Sequence, residues 1–100
     1  MDELCDILEK IRPRPALYLG TASMELLRAY LHGYLHHCDN ADGLRCLTDF
    51  TIFVRRRYKM NDYWSHDWAC FIQFFEPDPY QAFDTFYELF DEFIAKRKRG

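Results

Sequence analysis

His32 and His36 stand four residues apart, followed at once by His37, Cys38 and Asp39. On a helix that spacing turns both imidazoles to one side, which is how a zinc ion can be held for hydrolysis. No Glu lies inside the pair, and no second Cys or His cluster offers the remaining ligands at a recognisable spacing. Ordinary packing or surface histidines are therefore the plainer expectation, and a small metal-dependent hydrolase using His32 and His36 is the alternative. Ser65, His66 and Asp67 carry the letters of a hydrolytic triad. Contiguous residues cannot form one, because neighbours point to different faces while a triad needs three side chains converging in series. No Walker loop and no G-x-G-x-x-G is present. The expectation is no catalytic set, no metal and no cofactor, hence a protein that acts by binding.

Charge is the second chemical feature. Arg55, Arg56, Arg57 and Lys59 form a basic run. Residues 60–95 then hold eight acids and no Lys or Arg, and residues 96–99 are all basic. Asp84, Glu88, Asp91 and Glu92 recur at spacings of three and four, which builds an acidic stripe along a helix. Like charges so spaced destabilise a helix by roughly 0.2–0.5 kcal/mol per pair. The stripe reads either as a solvated face or as a surface shaped to meet a basic partner. The basic run reads as a charged edge strand or as an internal partner of the stripe. Tyr63, Trp64 and Trp68 cluster nearby, Trp68 as core and Trp64 as either core or interface anchor. The candidate contact set is Trp64, Asp84, Glu88, Asp91 and Glu92.

One hundred residues fit one domain, residues 1–100, and bury roughly 65% of the unfolded surface. The apolar fraction of 49% and aromatic fraction of 18% exclude a disordered chain and leave aromatics for a groove or interface. A net charge of −3 argues against nucleic acid as the main partner. Met1-Asp2-Glu3 begins no signal peptide, and no apolar run approaches a membrane span of about 20 residues. Cys5, Cys38, Cys46 and Cys70 show no framework spacing. A cytoplasmic protein with free thiols and no membrane contact is expected.

The elements that must position these groups follow from periodicity. Leu4, Ile7, Leu8 and Ile11 predict a helix over residues 2–12, ended by Pro13. Residues 16–20 read as a packed loop. Thr21 or Ser23 caps a second helix running to about His37, with Leu27, Leu31, Tyr34, Leu35 and Cys38 inward. Residues 39–43 read as a loop. Phe50, Ile52 and Val54 alternate with Thr51, Phe53 and Arg55, which predicts a strand over 47–59. Asn61-Asp62 reads as a turn, and Trp68, Cys70, Ile72 and Phe74 alternate in a second strand, so the two runs pair as an antiparallel hairpin. Asp78 and Pro79 start a third helix whose inner stripe is Phe83, Phe86, Tyr87, Phe90, Phe93 and Ile94. The expected fold class is α+β, in the order α-α-β-β-α, with the hairpin packed on the helices.

Residues 11–34 read IRPRPALYLGTASMELLRAYLHGY. With Arg14, Pro15, Tyr18, Leu19, Gly20, Ser23, Leu27, Gly33 and Tyr34, this stretch resembles the opening of short bacterial immunity-type proteins of contact-dependent inhibition and related polymorphic toxin systems. The resemblance covers about a quarter of the chain. It implies a partner that is a toxin domain, masked without a cofactor, and identifies no cognate toxin. It assigns no binding residue. The acidic and aromatic surface adds the expectation of a basic nuclease. The same RPALYLGT is similar to a segment of DNA gyrase B-type ATPases. That family needs an upstream Glu/Asn helix and a downstream D-x-G-x-G loop, whereas Asp42-Gly43 here is followed by Leu44, so it is set aside.

Overall fold

Six helices follow one another in a computed structural model that describes residues 3–60 and 66–99: α1 (Glu3–Ile11), α2 (Pro15–Leu19), α3 (Met24–His37), α4 (Ala41–Arg57), α5 (Trp68–Phe75) and α6 (Pro79–Arg99). No strand occurs among the described residues, so the α+β expectation, its α-α-β-β-α order and its hairpin are wrong. The Asn61-Asp62 turn lies outside the described residues.

The misread strands are helices with their own start signals. Asn40 caps α4, its side-chain oxygen accepting from the Gly43 N–H at 2.8 Å. The presumed loop 39–43 is thus mostly the first turn of that helix. Gly43, Cys46, Leu47, Phe50 and Val54 are buried, a spacing of three, four and seven that only a helix presents on one side. Ile52, which alternation paired with Phe50 and Val54, is only half-buried. Asp67 caps α5 by accepting from the N–H groups of Ala69 and Cys70 at 3.1 and 3.3 Å. Trp68, Ala69, Phe71 and Ile72 are buried on it, while Cys70 and Phe74, assigned inward by alternation, are exposed.

The other helices match their sequence signals. Ser23 caps α3 through Leu26 N–H at 3.3 Å, and Asp78 accepts from Tyr80 N–H at 3.0 Å at the start of α6. Leu27, Leu31 and Leu35 are buried on α3, but Cys38 is exposed. Residues 15–19 form a one-turn helix rather than a loop, with Pro15 at its first position and Gly20 closing it at φ +84°. The α3 and α4 helices each end on a left-handed residue without glycine, Asp39 (φ 52°) and Lys59 (φ 57°). The amides of Asn40 and Met60 then reach back to the carbonyls of Leu35 and Arg55 at 2.9 Å.

The core is aromatic. The Phe50 ring, fully buried, lies 5.2–5.9 Å from the rings of Phe90, Phe93, Phe86 and Trp68, so α4, α5 and α6 meet on it. The α1 helix contributes Leu4, Ile7, Leu8 and Ile11, all buried, and is fastened to α6 where the Tyr87 hydroxyl donates to the Leu8 carbonyl at 2.7 Å. Burial drives the Tyr87 phenol well above the ordinary tyrosine range. No polar or charged residue is buried among the described residues. No helix among them is long and apolar enough to cross a membrane. None of the four cysteines is in a disulfide.

Candidate functional site

The 21-residue α6 helix sets out the acidic residues. Tyr80, Asp84, Glu88 and Asp91 follow at spacings of four, four and three, and all four are exposed. They form one stripe opposite the buried phenylalanines. The stripe divides into two chemically different halves.

The later half is neutralised within the molecule. Arg12, just beyond α1, reaches Asp91 at 3.0 Å through Nη2 and at 3.4 Å through Nη1. The same guanidinium lies 4.8 Å over the Tyr87 ring. Glu92 accepts from Arg57 of α4, and Lys96 approaches it at 3.8 Å. The hydrogen bond from Arg57 holds the Glu92 carboxyl below its ordinary range. One member of the basic run of α4, Arg57, therefore pairs internally with the acidic helix. Asp91 and Glu92 tie elements together and are poorly placed to serve a partner. Arg55 and Arg57 do not share a side as they would on a strand, because residues two apart on a helix lie about 200° apart, and Lys59 lies beyond the end of α4.

The earlier half is open. Asp84 and Glu88 line an open cavity of about 420 Å³ together with Pro15 and Ala22. Phe83 and Tyr87 supply apolar surface, and Arg12 closes one side. Tyr80 lines it too and stands 71% exposed, an aromatic the core does not use. Two carboxylates above an apolar floor suit a cationic side chain, whose methylene stem packs below while its head meets the acids. Trp64, the remaining member of the candidate set, lies outside the described residues.

The resembling N-terminal segment builds the frame beside this cavity. Tyr18 packs edge-on to Tyr30 at 6.3 Å, and Tyr30 stacks on Tyr34 at 6.4 Å. Pro15 starts α2, Gly20 supplies the left-handed turn that ends it, and Ser23 caps α3. In the structure these residues shape a turn and a helix start.

The histidines that suggested hydrolysis occupy another face. The rings of His32 and His36 are 6.5 Å apart, and no group of three or more His, Cys, Asp or Glu side chains is placed to hold a metal among the described residues. His32, His66 and Asp67 do line one cavity of about 360 Å³, with Thr48 and Thr51. Burial, then the Arg28 charge, pushes the His32 imidazole below its ordinary range. Its neighbours are committed elsewhere. Asp67 takes Arg28 and caps α5, Thr48 donates to the Leu44 carbonyl, and Thr51 accepts from the Trp68 amide. Sequence reasoning missed this meeting because it depends on α3 and α4 lying beside the start of α5. Ser65 lies outside the described residues.

Set against protein families, curated proteins and solved structures, the chain matches none of them.

Proposed function

We propose that this chain is a non-catalytic binding protein that masks a basic protein domain, as an immunity protein masks a toxin. The observation that carries this reading is the exposed Asp84–Glu88 pair beside the Tyr80, Phe83 and Tyr87 surface. It offers a cationic anchor side chain both area and charge, the combination found at interface hot spots. The likeness of residues 11–34 to immunity-type openings supports the same class. A nuclease domain fits as partner because nucleases carry basic surfaces for phosphate.

The test is a pull-down and growth-protection assay with the protein encoded by the adjacent reading frame. Asp84→Lys combined with Glu88→Lys weakens binding at least tenfold at low salt, since like charges then face one another. Asp91 and Glu92 are left intact, because they hold α1 and α4 to α6. Unchanged affinity and protection sink the surface assignment. A neighbour with no toxin-like variable domain counts against immunity.

A second reading, an oligomeric scaffold, rests on the end of α5. Phe74 is 67% exposed and Phe75 40%, with Tyr58 stacked on Phe75 at 4.3 Å. Sedimentation of Phe74→Ser against the unchanged chain tests it, and identical monomeric profiles remove it.

A further inference from the structure

We propose that the groove between α4 and α6 is a second docking surface, which takes an acidic and partly apolar peptide segment of a partner protein. It lies on a different face of α6 from the Asp84–Glu88 cavity and does not depend on that reading. This open groove has a volume of about 730 Å³.

Its chemistry is cationic over aromatic. Arg56, Arg57, Lys96 and Arg97 line it, together with the half-buried Phe53 and the buried Phe93. Arg57 and Lys96 lie 5.6 and 5.5 Å over the Phe53 ring, and Arg97 lies 5.3 Å over Phe93. Rings that attract cations hold them at the surface without consuming their hydrogen-bond donors. Two carboxylates fix the arrangement: Glu92 accepts from Arg57, and Asp49 from Arg97 at 3.0 Å. Four cations against these two acids leave a local surplus of two positive charges on a chain whose net charge is −3. Arg56 is exposed and has no carboxylate partner among the described residues.

Basic residues in the last turns of α4 and α6 also offset the helix dipoles, which accounts for their sign. The dipole does not account for their gathering over two phenylalanines with Ile52 alongside. An extended acidic segment meets both features, its carboxylates on Arg56 and Lys96 and an aliphatic side chain against the half-buried Ile52 beside the rings. Nucleic acid fits less well. Cations cover the ring faces that bases need for stacking.

The experiment is fluorescence anisotropy on the full chain with three labelled probes. They are a ten-residue peptide alternating Glu with Leu, the same peptide with Gln for Glu, and an oligothymidine of equal charge. The acidic peptide binds, its affinity falls as salt rises, and Arg56→Glu with Lys96→Glu weakens it at least tenfold. Both substituted residues are exposed, and far-ultraviolet dichroism confirms that the variant folds. Asp84→Lys with Glu88→Lys leaves this affinity at or above its starting value, which separates the two surfaces. The proposal is overturned if the Gln peptide binds equally well, if the Arg56/Lys96 variant binds as before, or if oligothymidine binds as tightly as the peptide.

Discussion

Tyr87→Phe removes one oxygen atom from the seam between α1 and α6 and leaves the ring in place. That oxygen donates to the Leu8 carbonyl at 2.7 Å in a buried position. The size of the loss depends on what remains for the carbonyl. The Arg12 amide also donates to Leu8 O, at 3.0 Å. The acceptor is therefore not orphaned, and the full cost of about 1–3 kcal/mol for an unsatisfied buried group does not apply. The expected loss is one ordinary hydrogen bond, about 1 kcal/mol. In a domain this size that lowers Tm by roughly 4–8 °C. Calorimetry and urea titration measure it, with an unchanged m-value. The burial of the same phenol sets a pH dependence. Burial raises the folded-state phenol above its unfolded value of about 10, so the folded protein holds that proton longer. Its stabilising effect is complete below about pH 10 and is lost as pH rises further, and Tyr87→Phe reduces this alkaline decline. A neutral or stabilising substitution, or an alkaline slope identical in the two proteins, refutes the claim that this hydrogen bond fastens α1.

Other expectations follow from the helices. Val54→Ala costs about 1.5–3 kcal/mol and Ile52→Ala under about 1, because a helix buries the first and only half-buries the second; equal losses in chemical denaturation would favour the strand pattern. Asp67→Ala loses about 1–2 kcal/mol, whereas Asp67→Asn keeps the cap of α5 and loses less, as thermal melts of the two will show. Lys59→Gly gains roughly 0.5–1 kcal/mol by relieving the left-handed strain after α4, read as a raised denaturation midpoint.

Much of the fold is legible in residue order, and the failures have a physical cause. The α1, α3 and α6 helices declare themselves because their apolar residues recur at one period and their caps are Ser23 and Asp78. The α4 and α5 helices mislead because apolar residues are so dense that two periods fit. Thr51, Ile52, Phe53 and Val54 are β-branched or aromatic, which favours a strand locally, yet packing against Trp68 and the α6 phenylalanines overrides that preference. The correcting signals were present as Asn40 and Asp67, two cap residues each placed before an apolar stripe. The acidic stripe was visible as a stripe. Its division was not, since Arg12 and Arg57 reach Asp91 and Glu92 across helices that sequence spacing cannot align.

The joints between Leu8 and Tyr87 and between Arg12 and Asp91 each span 79 positions of chain. On a ribosome adding roughly 5–20 residues per second, the first helix waits about 4–16 s for its last partner to be made. During that interval Leu8 lacks the partner α6 gives it. Shortening that wait, by joining the α1 sequence after α6 in a permuted gene, places these partners side by side at birth and speeds their meeting, because less chain must be closed into a loop.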